Sequence, residues 1–170
     1  MAMDKNILTL RSFRPEDRDR MLEILTDNTV NKTYMLPDFE KKEDAIPLFE
    51  RLMGLSLEEG RYVRCISLDT KAIGFMNDVQ IKDGCIELGY VIHPNSQGKG
   101  YMTEALKMAI EELFSHGYQK VICGAFQENK ASQRVMEKAG MKKIPLTEII
   151  DYRGKEHLCV YYDMEKGEQL

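Results

Sequence analysis

Two glycines, Gly98 and Gly100, flank Lys99 and follow Gln97, and this short run is the part of the sequence best suited to chemistry. Before it, residues 87–93 are apolar enough for a strand, which Pro94 and Asn95 then stop. After it, Met102, Leu106, Ala109, Ile110 and Leu113 recur at helical spacing. A strand, a glycine-interrupted loop and a helix start gather free backbone N–H groups around one point. The helix dipole adds positive potential there, so a phosphate or pyrophosphate is favoured. Two familiar phosphate loops fail on spacing. A nucleotide P-loop needs a lysine followed by Ser or Thr, and here Gly100 follows Lys99. The dinucleotide fingerprint GxGxxG needs a third glycine where Thr103 stands.

The elements around the loop decide whether it can work. Residues 7–13 alternate apolar and polar side chains, as a half-buried strand does. Pro15, Glu16 and Asp17 read as a helix start, and Met21, Leu22, Ile24 and Leu25 supply an apolar face that fades near Asp27 and Asn28. Residues 28–40 read as irregular, with Tyr34, Met35, Leu36 and Phe39 as an apolar patch around Pro37. A second helical region over 43–59 is expected to break or weaken at Pro47 and Gly54. Strands over 61–68 and 71–81 form a hairpin through Asp69 and Thr70, and Asp83-Gly84 turns the chain into a strand over 85–92. Beyond the loop come a helix over 103–117, a strand over 119–126, and a short helix over 129–139 capped by Asn129 and Gly140. A last strand pair covers 141–150 and 157–164, and 165–170 read as a frayed tail. No repeat or linker interrupts the pattern, so the 170 residues are read as one mixed α/β domain, 1–170.

Composition narrows the partners. Net charge is −4 and the 24 basic residues are scattered, which argues against nucleic acid, whose phosphates need a concentrated basic face. No stretch has the apolar length of a membrane span, and Met1 to Asn6 lack the apolar stretch of a signal peptide. Cys65, Cys85, Cys123 and Cys159 lie far apart without a CxxC or Cys/His cluster, so no metal is expected. They read as reduced, packed thiols of a cytoplasmic protein.

The ordered motifs resemble those of GNAT-type N-acetyltransferases. Gln97, Gly98, Lys99, Gly100 and Tyr101 match that family's acetyl-CoA pyrophosphate loop, while Met102 stands where a small residue is expected. The likeness runs from Leu8 to Met164 and takes in Arg14 to Asp17, Ile73-Gly74-Phe75, Glu87 to Tyr90, Asn129 to Ser132 and Lys138 to Met141. It leans toward the ribosomal-protein N-terminal acetyltransferases. The resemblance implies a single-domain fold with a bent mixed sheet of about seven strands, helices on both faces, and a splay between strands four and five. It implies acetyl-CoA as co-substrate. The pantetheine arm would pair with backbone around Val91 and Ile92, the pyrophosphate would sit on amides from Gly98 to Thr103, and Asn129 would help hold the arm.

Acetyl transfer to an amine demands a neutral amine, a donor to the developing oxyanion and a proton for the departing thiolate. The resemblance assigns the oxyanion donor to the backbone N–H near Val91 or Ile92. The family often protonates the thiolate with a tyrosine at the position of Met136; Ser132 is the substitute here, and equally a first-turn residue of its helix. For the base, Glu87 and Asp151 match carboxylates that relatives use, with Glu148 a weaker third. His93, beside the loop, is a minor candidate, since histidine as a residue type can act as a base near neutral pH. Cys123 lacks a neighbouring base in sequence and is not read as an acyl carrier. An α-amine titrates near ~7.8 and a lysine near ~10.4, so an α-amine needs less help from the site. Tyr34, Met35, Leu36, Phe39, Tyr152 and Arg153 are the expected walls of the substrate pocket. The acceptor is expected to be a protein N-terminus, a small amine or an amino acid, and the resemblance also allows a homodimer. The departures at Met102 and Met136 leave one alternative, a non-catalytic acyl-CoA-binding protein.

Overall fold

The computed structural model describes residues 6–168. Seven strands, β1 (Leu8–Arg11), β2 (Val63–Leu68), β3 (Lys71–Lys82), β4 (Cys85–Ile92), β5 (Lys120–Phe126), β6 (Lys142–Tyr152) and β7 (Lys155–Glu165), form one sheet in the order β1-β2-β3-β4-β5-β7-β6. The helices are α1 (Arg18–Leu25), α2 (Val30–Thr33), α3 (Ile46–Ser56), α4 (Tyr101–Ser115) and α5 (Lys130–Lys138). β4 and β5 pair in parallel, which their connection through α4 requires, and β5 pairs antiparallel with β7. The expected mixed sheet of about seven strands is therefore present. None of the helices among the described residues is long and apolar enough to cross a membrane.

The described residues form two compact units, 6–77 with 90–101, and 78–89 with 102–168. In the first, α1 and α3 bury Met21, Ile24, Leu25 and Phe49 against Val63, Cys65 and Phe75 of β2 and β3. Phe13 meets Phe49 edge-on at 6.0 Å. The end of β1 is tied to the start of α1 by a two-pronged ion pair: Arg11 Nη1 and Nη2 donate to Asp17 Oδ2 and Oδ1 at 2.8 and 2.9 Å. In the second unit, Leu106, Ile110 and Leu113 of α4 and Met136 of α5 are fully buried with Ile86, Leu88 and Val121.

Four expectations need correction. Residues 28–40 contain the short helix α2, because the Asp27 carboxylate accepts from the N–H groups of Thr29 and Val30 and starts a new turn where the first helix ends. The region 43–59 is not broken at Pro47: a 3-10 turn over Lys42–Ala45 leads into an unbroken α3, and Pro47 sits in its first turn, where its missing N–H has no partner to lose. α4 begins at Tyr101 rather than 103 and ends at Ser115. The expected tail divides: β7 runs through Glu165 and a turn follows, while residues 169 and 170 lie outside the described residues. Residues 1–5 of the segment read for a signal peptide lie outside them too.

Candidate active site

In the first unit the loop is built by short-range forces. His93 ends β4, and its backbone N–H donates to Ile73 O on β3 at 2.6 Å. Its ring Nδ1 accepts from the Asn95 N–H at 3.1 Å, which places the remaining ring proton on Nε2, 3.2 Å from Glu23 Oε2. Both ring nitrogens are thus engaged in holding the loop, and His93 serves as the cap of a 3-10 turn over Pro94–Ser96. The Gln97 side chain folds back to donate to Ile92 O at 3.3 Å. Gly98 and Gly100 follow with φ of +75° and +83°, and a Cβ at either would meet nothing within 4 Å. Left-handed backbone in open space exposes N–H groups instead of side chains. The helix start at Tyr101 adds the amides of a first turn, which have no intrahelical acceptor. Phosphate oxygens suit this cradle. Met102, which stands where a small residue is expected, is buried at 5% exposure.

The same unit holds a cavity of about 230 Å³ lined by Tyr34, Met35 and Leu36, by Leu52 and Arg51 of α3, and by Phe75 of β3, among others. Tyr34 donates its hydroxyl to Asn77 Oδ1 at 2.6 Å and stands edge-on to Phe75 at 5.4 Å. Burial keeps that phenol protonated well above its ordinary range. Phe39 packs on the surrounding core without lining the cavity. Tyr152 and Arg153, expected on the same wall, belong to the second unit: Tyr152 lies near Phe126 and His157, and Arg153 donates back to the Tyr152 hydroxyl at 2.8 Å.

In the second unit the strand register sorts the carboxylates. Glu87 lies opposite Ile122, Ile122 opposite Asp163, and Gly124 opposite Tyr161. Glu148 lies opposite Cys159 and Asp151 opposite Glu156. Side chains alternate along a strand, so Glu87, Tyr161, Cys159 and Glu148 share one face and Asp151 falls on the other. Tyr161 donates to Glu148 Oε2 at 2.6 Å, and Gly124 leaves room for the Tyr161 ring, since a Cβ there would come within 2.7 Å of Cε1. Glu87 is half-buried, and burial raises its pKa above the ordinary carboxylate value, with the Glu148 charge adding to the rise. Asp151 is exposed. Asn129 caps α5, its Oδ1 accepting from the Ser132 backbone N–H at 3.1 Å.

A family model for the acetyltransferase (GNAT) domain matches residues 8–142. This chain belongs to the GNAT acetyltransferase family. N-acetyltransferase activity goes with that membership. The chain is similar to the uncharacterized N-acetyltransferase YoaA of Bacillus subtilis, 28% identical over 148 residues that span 83% of this chain and 82% of that protein. Its fold is similar to the crystal structure of a GNAT-family acetyltransferase from Bacillus anthracis, at 24% identity, TM-score 0.81, and coverage of 95% of this chain and 96% of that one. It is also similar to RimL, a ribosomal L7/L12 alpha-N-protein acetyltransferase in complex with coenzyme A, at 15% identity, TM-score 0.83, and coverage of 95% and 96%.

Placed in this GNAT fold, some candidates group and others separate. Val91, Ile92 and the loop from Gln97 to Tyr101 lie in the first unit, while Glu87, Met102, Thr103, Asn129, Ser132 and Asp151 lie in the second. Tyr161 is not among the residues singled out from the sequence, and Glu148 is there only a third candidate; alternation along β7 places Cys159, Tyr161 and Asp163 on one face and was the signal available. Arg51, Arg61 and Asn77 at the cavity are not singled out there either. All four thiols are driven up by burial, Cys65 to about 12, so none is an ionised nucleophile near neutral pH. Among the described residues, no group of three or more His, Cys, Asp or Glu side chains is arranged to hold a metal ion.

Proposed function

We propose that the chain, residues 1–170, acts as a single cytoplasmic N-acetyltransferase domain that moves an acetyl group from acetyl-CoA directly to a primary amine. The carrying observation is the open, left-handed glycine pair that runs into α4 within a GNAT-family sequence. Acetyl-CoA would supply an activated thioester. Amides from Gly98 to Thr103 and the flanking Gln97 would hold its diphosphate, with Lys99 adding charge. Backbone of Val91 and Ile92 would hold the pantetheine arm and donate to the thioester oxygen. Asn129 would steady the arm, and the Ser132 hydroxyl would donate to the sulfur as it leaves. Titration calorimetry with acetyl-CoA tests the base of this reading: saturable binding is expected, and no heat at millimolar ligand would end it.

Glu87 is the favoured base. Its raised pKa and its place on the face shared with Tyr161 and Glu148 support it over exposed Asp151, which stays the second candidate. At pH 7 roughly a tenth of an α-amine is already neutral, so Glu87→Gln should lower kcat/KM with such an amine by about tenfold. The variant should also lose the break that Glu87 sets in the acidic limb of the pH–rate profile, leaving only the rise that the amine's own deprotonation gives. An unchanged profile would move the role to Asp151, tested by Asp151→Asn.

Ser132→Ala separates chemistry from capping, because Asn129 bonds the backbone N–H of Ser132, which alanine keeps. A hydrogen bond to a thiolate contributes ~1.5–3 kcal/mol, so kcat should fall by about tenfold or more with little change in KM for acetyl-CoA. Wild-type turnover would remove Ser132 from the mechanism.

For the acceptor, Tyr34, Met35 and Leu36 at the cavity and Tyr152 of the β6–β7 turn are the proposed contacts. A protein N-terminus, as in the ribosomal-protein branch, or a small amine would fit the preference for a weakly basic amine. A homodimer is part of the same family reading. A non-catalytic acyl-CoA-binding protein is the alternative, and steady CoA release with any amine would dismiss it.

A further inference from the structure

Tyr161 and Glu148 form a pair on the sheet face that carries Glu87. Strands β4, β5, β7 and β6 lie side by side in that order, and Glu87, Ile122, Gly124, Tyr161, Cys159 and Glu148 step diagonally across them on one face. Gly124 keeps that path open. A Cβ there would come within 2.7 Å of Tyr161 Cε1 and 3.2 Å of Cys159 Sγ, so the phenol ring leans over β5 where a larger residue would exclude it. Tyr161 is buried, and its hydroxyl donates to Glu148 Oε2 at 2.6 Å. Glu148 is itself an exposed residue of the edge strand β6. Without that bond its carboxylate would turn to bulk water, where a charge is best solvated. A buried donor thus draws an exposed carboxylate inward over the sheet.

The other titratable groups of these strands differ from Glu148. On β3, beside β4, the same unit carries Asp78 and Lys82. On β5, Lys120 Nζ lies 3.3 Å from Glu165 Oε1 and 3.9 Å from Asp163 Oδ2 of β7. His157 of β7 pairs through Nδ1 with Glu128 Oε1, and the Tyr152 hydroxyl of β6 accepts from Arg153 Nε. Burial pushes up the Cys85 and Cys159 thiols and the Tyr161 phenol, so all three are neutral near neutral pH. Burial also raises Glu87, and the charge that adds to the rise is that of Glu148.

We infer that Tyr161 is a positioning residue of the transferase: its hydroxyl holds the Glu148 carboxylate over the face shared with Glu87, and that negative charge makes Glu87 a stronger base. This role rests on the reading of Glu87 as the base. The step it serves moves one proton. The acceptor's ammonium group loses it, the Glu87 carboxylate gains it, and a neutral amine is left to attack. Two carboxylates on one face repel until one of them is neutral, so the Glu148 charge favours that transfer. Tyr161 itself touches no reacting atom and acts only through Glu148.

Glu87 can be titrated directly by NMR of isotopically labelled glutamate carboxyl carbons, on the full chain without acetyl-CoA, its signal identified by loss in Glu87→Gln. Glu148→Gln should lower the Glu87 midpoint by about half a pH unit, a modest shift because the partner is exposed. Tyr161→Phe keeps the ring over Gly124 and should lower the midpoint in the same direction. Added to Glu148→Gln, it should shift nothing further, a dependence that a merely structural tyrosine would not show. The acidic break in kcat/KM for the amine should move with the midpoint in each variant, while KM for acetyl-CoA stays unchanged. The assignment is overturned if Glu87 titrates at the wild-type pH in either single variant, or if Tyr161→Phe shifts it equally with and without Glu148. A shifted midpoint with an unmoved kinetic break would support the hold of Glu148 on Glu87 and remove Glu87 as the base.

Discussion

Gly74→Ala is expected to melt on the order of 10 °C below the wild type, or to fail to accumulate as soluble protein. A Cβ at this position would lie 2.2 Å from Val91 O and 3.0 Å from Ile92 Cα. Carbon pairs pack best near ~3.5–4.0 Å, so the two strands would have to part by about 1 Å. The obstacle is main chain, which has no rotamer to escape into. It is also locked nearby, by the 2.6 Å hydrogen bond from His93 N–H to Ile73 O. Overpacking usually costs ~1–3 kcal/mol, and a backbone obstacle puts this case at or above the upper end. The local irregularity has a visible origin: the β2–β3 register shifts between Ile66 and Ser67, with Ile66 opposite Gly74 and Ser67 opposite Ala72. The extra residue, Ile73, is the one whose carbonyl reaches His93. Because Val91 and Ile92 are the proposed thioester-binding backbone, a folded remnant should also bind acetyl-CoA more weakly. Calorimetric unfolding decides the matter, and a melting temperature within 2 °C of wild type, about the effect of 1 kcal/mol, would show that the strands yield easily.

Asp17→Asn should lower stability by about 3–5 kcal/mol. Asp17 has 4% of its side chain exposed and Arg11 has 12%, so the substitution leaves a buried guanidinium without its counter-charge. The carboxylate also accepts from the Arg14 backbone N–H at 2.8 Å. Burial alone would raise the Asp17 pKa, but the Arg11 fork and the Arg14 amide outweigh it and hold the pKa below the ordinary value. The sign for stability follows. The folded pKa lies below the unfolded one, so the contribution is complete above about pH 4 and is lost as pH falls through the folded value. Wild type should therefore lose stability faster than Asp17→Asn on acidification, and the two curves should converge at low pH. Denaturant unfolding between pH 2 and pH 7 measures this; parallel curves would remove the ion pair from the stability of the fold. The double substitution Arg11→Met with Asp17→Leu should cost less than Asp17→Asn, because it leaves no lone buried charge.

Much of the fold was legible because its signals are local. Asn129 and Gly140 mark the ends of α5, Asp83-Gly84 joins β3 to β4, and the loop from Pro94 to Gly100 was found from residue types within a few positions. Asp27 shows the limit of such signals. The same residue that ends the apolar face of α1 caps α2, and a fading pattern looks alike in both roles. Pro47 shows another: a proline inside an apolar run reads as a break unless the first turn is known to begin at Ile46.

The sequence by itself determined the family, the glycine loop proposed to hold a phosphate and the order of strands, since each depends on residues close together in the chain. Tertiary structure alone decided which distant groups meet. It set the Tyr161–Glu148 hydrogen bond across the β6–β7 pair, the separation of Asp151 from Glu87 onto opposite faces, and the closeness of Gly74 to Val91 O. It also decided that two arginines from a helix and the approach to a strand line one apolar cavity. Strand register and helix packing are collective choices of burial, and no spacing within a single segment encodes them.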